Sequence, residues 1–198
     1  MTVRDAPEAT PILTGAVAAD NPFCAADAAA RSLNRARLVE LPGLAGVGDL
    51  LGHSASELLS AWAVAALVRA TAGRPAADTS APELLRAFNA SFDDPLTQPA
   101  ALAVANAVGR RLGALLLMLW RGDAANRAAR PEWDEAHWAY WAGVERVVVG
   151  GGLLAGRLGA AAVPAAAAFL AASGCPIAVS YTHLRAHETD SYLVCRLL

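Results

Sequence analysis

Lysine is missing from this chain: all 16 basic residues are Arg. Together with 49 Ala, that bias is the mark of very GC-rich coding, so alanine content alone argues little about structure. A basic surplus is missing too. The 16 Arg face 18 acids for a net charge of −2, which excludes a protein that holds nucleic acid by general electrostatics. Charge is sparse at 17%, against 56% hydrophobic residues, which excludes an intrinsically disordered chain. Cysteine is scarce. Of three Cys, Cys195 lies in the C-terminal segment discussed below; Cys24 and Cys175 are far apart and match no metal spacing, which points to a reduced, cytoplasmic compartment.

Long uninterrupted apolar runs are also lacking. Residues 101–120 are broken by Asn106, Arg110 and Arg111, and residues 147–172 by Gly150–Gly152, Arg157 and Pro164. No membrane span and no membrane partner are expected. The apolar stretch Ile12–Ala19 is short, and Asp5 and Glu8 precede it, so no signal peptide is expected.

What is present divides into three parts. Residues 1–22 read as a loosely ordered N-terminus, and 23–178 as one lobe, mainly α with a small β component. Residues 179–198, VSYTHLRAHETDSYLVCRLL, differ abruptly in composition, with only one Ala among the twenty. This string resembles the translation of a Nextera-type sequencing adapter. The adapter bases read in frame give Val179 to Thr189 and, after an index stretch, Tyr192 to Leu198. The resemblance implies an artefact tail and a natural chain interrupted near Ala178. It also removes the metal-like trio His183, His187 and Glu188 from consideration.

Within the lobe, residues 24–34 suggest a short helix and Arg37–Leu41 a weak strand. Pro42–Gly52, with four Gly, reads as a loop. Ser54-x-x-Glu57 has capping-box spacing and predicts a helix to about Thr71. Ser80-x-x-Glu83, with Pro82, predicts another to about Ser91. A long helix is predicted from Pro99 to Trp120. Ala105, Gly109 and Gly113 share one stripe on it, and two glycines there predict close approach of another backbone. Arg110 and Arg111 should face solvent or a neighbouring acid. Residues 121–130 read as a polar connector, and their Arg121-Gly122-Asp123 triplet as chance. Trp133, His137, Tyr140 and Trp141 recur at helical steps, which predicts a helix docked on the core rather than a ligand-stacking surface.

One segment carries chemistry: VERVVVGGGLLAGRLG, residues 144–159. Arg146–Val149 is β-branched and predicts a short buried parallel strand. The Gly150-Gly151-Gly152 turn follows, then a helix predicted from Leu153. Orphan N–H groups at a helix N-terminus favour phosphates, and glycine lets a nucleotide approach the backbone. The nucleotide-binding candidates are therefore Val149, Gly150, Gly151, Gly152 and Leu153. Gly150-x-Gly152-x-x-Ala155 also satisfies the dinucleotide fingerprint of a Rossmann-type fragment. The acid that would complete it belongs after the next strand, at Pro176–Ala178, where the tail begins.

The order of long helix, connector, VVVGGG and small-residue helices over residues 54–178 resembles the C-terminal lobe of ROK-type sugar kinases. These belong to the actin/hexokinase-like superfamily. The resemblance implies that Val147–Gly152 form an adenosine motif beside the base and ribose, with ATP and Mg²⁺ as cofactors. It also implies that Pro164 splits the following helix. The chain departs from the family in lacking a D-x-G-x-T phosphate loop, a recognisable catalytic Asp and the Cys/His zinc motif. It is expected to be a truncated nucleotide-binding lobe, not catalytic by itself and with no metal site. A homo-oligomer is compatible with this. The other readings are a non-enzymatic helical interaction module and the Rossmann-type fragment.

Overall fold

The computed structural model describes residues 21–25, 32–72, 79–154 and 156–181, and residues 194–196 as a backbone strand. The fold is mainly helical with two small sheets, as the periodicities predict. The expected loose N-terminus up to residue 20, residues 26–31 of the expected first helix, Ala155 and most of the tail lie outside the described residues.

Local signals set most helix ends. A short α1 (Pro22–Ala25) and a 3₁₀ turn at Leu33–Arg35 stand where one helix was predicted. Strand β1 (Arg37–Leu38) pairs antiparallel with β2 (His53–Ser54), and the loop between them returns the chain. The Ser54–Glu57 capping box opens α2 (Ala55–Leu59). The predicted helix to Thr71 is then interrupted. Ser60 adopts an extended backbone, ends α2 and accepts from the Ala63 N–H to start α3 (Ala61–Ala72). A serine hydroxyl competes with the helical ladder in this way, and the apolar pattern conceals it. The Glu83 carboxylate accepts from the Ser80 N–H and hydroxyl at the start of α4 (Ala81–Phe88), which tightens into a 3₁₀ turn at Asn89–Phe92.

The centre of the molecule is α5 (Gln98–Arg121), within one residue of its predicted ends at both termini. It packs against α2, α3, β1, α7 and α8 and is buried on nearly all sides over Leu112–Leu119. Among the described residues it is the one helix long and apolar enough to cross a membrane. Its most apolar window, however, is 67% buried inside the fold. Gly122 ends it, with its N–H bonding to the Met118 carbonyl. Arg121 then pairs with Asp123 at 3.0 Å, so the Arg-Gly-Asp triplet is a helix cap tied to itself.

The predicted connector contains a short α6 (Ala124–Ala128). Asn126, 1% exposed, accepts from the Val39 and Glu40 N–H groups and donates to the Glu40 carbonyl. It thereby fastens the chain after β1 to α6. The aromatic segment forms α7 (Glu135–Ala142), with Trp133, Trp138 and Trp141 all buried.

The second sheet has the order β4-β3-β5. Strand β3 (Arg146–Gly150) runs parallel to β4 (Ala178–Tyr181), with Val147 opposite Val179 and Val149 opposite Tyr181. The crossover between them is α8 (Arg157–Ala172), as a parallel pair requires. Strand β5 (Val194–Arg196) lies antiparallel on the other edge of β3, reaching Gly150. The described part of the tail thus contributes backbone to both edges of the strand.

The glycine stripe of α5 meets α8. A Cβ on Gly109 would stand 2.5 Å from the Ala162 carbonyl oxygen and 2.5 Å from the Ala165 Cβ. One on Gly113 would stand 2.7 Å from the Phe169 ring. The close approach inferred from the stripe is therefore the contact that seats the crossover helix. Pro164 does not split α8, contrary to the expected break. It is exposed inside a continuous helix, whose small-residue face stays packed on α5.

Candidate functional site

The nucleotide candidates lie together at the carboxyl end of β3. Val149 is 1% exposed. Its side chain borders a small apolar cavity against Leu112, Leu115, Leu116 and Leu119 of α5. Only its backbone faces the sheet neighbours, Tyr181 on one side and Cys195 on the other. Gly150 is the last paired residue of the strand. Gly151 turns the chain at φ 104°, a conformation that L side chains rarely adopt. Gly152 is exposed, with no atom within 4 Å of where a Cβ would stand. Leu153 folds back onto the core, and the Leu154 N–H closes the turn on the Gly151 carbonyl at 3.2 Å.

The helix does not begin at Leu153 as predicted. It begins at Arg157, four residues later. Leu153 and Leu154 are good helix formers, but Gly156 at φ 89° takes the chain out of helical space before α8 starts. The glycine turn and the helix N-terminus are consequently two separate places.

That N-terminus is already occupied. Gly156 stands at the cap position and has no side chain to offer. The Asn89 side chain supplies the cap from the 3₁₀ turn after α4: its Oδ1 accepts from the Leu158 N–H at 3.2 Å. Arg157 pairs with Asp93 at 2.7 Å, both about 60% exposed. Gly159 allows the turn to lie on the helix, because a Cβ there would overlap the Leu154 carbonyl. Taken singly, Asn89, Gly156 and Gly159 carry no local sequence signal for these roles, and Asp93 reads from sequence only as part of the Asp93-Asp94-Pro95 run that ends the preceding helix. Only the Gly156-x-x-Gly159 spacing was a signal that could have found two of them.

The other candidate features resolve as structure. On α7, Asp134 accepts from the His137 N–H and lies 2.6 Å from its Nδ1. These bonds to His137 hold the Asp134 carboxyl below its usual range. The imidazole stacks on Trp133 and meets the Phe23 ring edge-on, and Arg130 lies over Trp133 at 4.5 Å. This is a docked helix with its cap, and no open stacking surface. Arg110 meets the acid expected for it, Asp49, through two bonds at 2.9 and 2.5 Å. Arg111 donates to the Leu58 carbonyl at the end of α2. Burial pushes the Cys175 thiol up, away from the reactive thiolate. Among the described residues no group of His, Cys, Asp and Glu could hold a metal ion.

Comparison with protein-family models, curated proteins and solved structures gives no match for this chain.

Proposed function

We propose that this chain is a nucleotide-binding lobe of the ROK sugar-kinase type, truncated and not catalytic by itself. The backbone of Val149–Leu153 lines the adenosine pocket. One observation carries this reading: an open glycine turn, with Gly152 uncovered, sits at the carboxyl end of β3, between that strand and α8. Ligands of open α/β sheets bind outside the carboxyl ends of the strands. ATP with Mg²⁺ is the cofactor the reading calls for, and the cytoplasm is its compartment. The residues present fit the base and ribose end of ATP, which a glycine backbone can meet by close approach. No group among the described residues fits the Mg²⁺ end.

The separation of turn and helix favours this reading over a Rossmann-type fragment. A dinucleotide site places its pyrophosphate on the first turn of the helix that follows the glycines. Here Asn89 already takes the Leu158 N–H of that turn. The remaining alternative, a helical interaction module, has lost its aromatic segment to the core but keeps Trp62, 69% exposed on α3.

The test is calorimetric titration of MgATP into this chain and into the parental full-length protein. Binding by both, weakened by Gly152→Leu at the uncovered position, is the expected result. Absence of heat from the full-length protein overturns the reading.

A further inference from the structure

We infer that Asn89 is the positioning residue of the glycine turn, holding it from outside the β3–turn–α8 segment. The inference rests on the nucleotide reading only for the identity of the ligand.

The geometry joins two parts of the chain through one amide. Asn89 Nδ2 donates to the Leu85 carbonyl of α4 at 3.1 Å, which fixes the plane of the side chain. Its Oδ1 then points at α8 and accepts from the Leu158 N–H at 3.2 Å. The turn's last residue is shaped to this amide. A Cβ on Gly156 would stand 2.9 Å from Asn89 Oδ1, and Gly156 has φ 89°. A glycine at 156 lets the turn come this near to the amide, and the amide at 89 serves a carbonyl and an N–H at once through its two ends. The Arg157–Asp93 pair lies beside it, on the same two segments.

Helices normally take their cap from the residue that precedes them, so the cap and the entering chain move together. In α8 the cap comes from a residue 69 positions upstream. The first turn of α8, on which the glycine turn rests through Leu154 over Gly159, is therefore tied to where α4 stands. A ligand on the turn and a displacement of α4 act on the same bond. In the language of binding, Asn89 keeps the turn in the shape that meets the ligand, and a loosened turn binds more weakly by the fraction of time spent in other shapes.

The test uses Asn89→Leu and Asn89→Asp in the whole chain. Asp keeps the acceptor that Leu158 needs, and a carboxylate is favoured at a helix N-terminus. Amide hydrogen exchange read residue by residue by NMR is the first measurement, and MgATP affinity the second. In Asn89→Leu, exchange at Leu158 and at Leu154, whose N–H closes the turn on the Gly151 carbonyl, should rise about fivefold, the factor that a lost cap corresponds to. MgATP affinity should fall by a similar factor, and Asn89→Asp, which keeps the acceptor but loses the donor to the Leu85 carbonyl, should recover both only in part. If Leu158 exchanges faster while Leu154 is unchanged, Asn89 is only a cap and the inference is overturned. If the exchange changes occur but neither the wild type nor the variants bind MgATP, the positioning stands and the nucleotide reading fails. Should Asn89→Leu not fold, Gly156→Ala attacks the same contact from the turn side and must speed exchange at Leu154 in the same way.

Discussion

Gly159 lies directly beneath Leu154: a Cβ built on Gly159 would overlap the Leu154 carbonyl oxygen and stand 2.7 Å from the carbonyl carbon. Neither backbone can yield easily, since Leu154 is 1% exposed and Gly159 is in the first turn of α8. Gly159→Ala is expected to destabilise the protein by about 1–3 kcal/mol, although alanine is the better helix former. For a chain of this size that lowers the melting midpoint by about 2–4 °C per kcal/mol. A thermal melt equal to wild type would refute the contact.

The two glycines of α5 should differ from each other. At Gly109 the added methyl meets the Ala162 carbonyl and the Ala166 N–H, both backbone. At Gly113 it meets the Phe169 side chain, which can turn aside. Gly109→Ala is expected to cost about 1–3 kcal/mol and Gly113→Ala clearly less. Urea midpoints for the two variants check the ranking, and equal losses would count against it.

Asn126 makes one amide serve three backbone groups of residues 39 and 40. Asn126→Ala leaves these without their partner and is expected to cost about 2–3 kcal/mol. The exposed Asn106 of α5 is the control, and its replacement by Ala should stay within about 0.5 kcal/mol of wild type. Chemical denaturation of both variants gives the comparison directly.

Acid should weaken the fold. The Arg110 hydrogen bond holds Asp49 below its ordinary value of 3.8. The Ser54 N–H does the same for Glu57, and the Ser80 hydroxyl for Glu83, against an ordinary 4.5. Groups lowered in the folded state bind fewer protons there than in the unfolded chain. Their contribution is complete above the ordinary values and is lost as pH falls through the folded ones. Urea midpoints are therefore expected to hold above about pH 5 and to fall below about pH 4. Glu57→Gln and Glu83→Gln together should flatten that fall, and an unchanged slope would show that the two capping boxes do not contribute.

The parts of this fold that were legible from sequence are those decided within a few residues. Ser54 with Glu57 and Ser80 with Glu83 mark helix starts because the capping partners are neighbours in the chain. The stripe of Gly109 and Gly113 predicted a close neighbour, since little else explains two glycines on one helix face. The strand at Arg146–Val149 was legible from its β-branched run. What escaped depends on distant residues. The start of α8 is displaced by Gly156 and its cap is Asn89, and nothing near Leu153 reports either. Asn126 looked like an ordinary connector residue because its partners lie more than eighty positions away.

Pro164 gives α8 a property that its packing conceals. Proline has no N–H to return to the Ala160 carbonyl, so the bond ladder has a missing rung at that point. Before the gap, Arg157–Val163 carry the glycine turn, its cap and the seat of Ala162 on Gly109; after it, Ala165–Ala172 carry the contact of Phe169 with α5. The crossover is therefore kept straight across the gap by its seat on α5, Ala162 and Ala165 against Gly109 and Phe169 against Gly113, and not by its own ladder at that point.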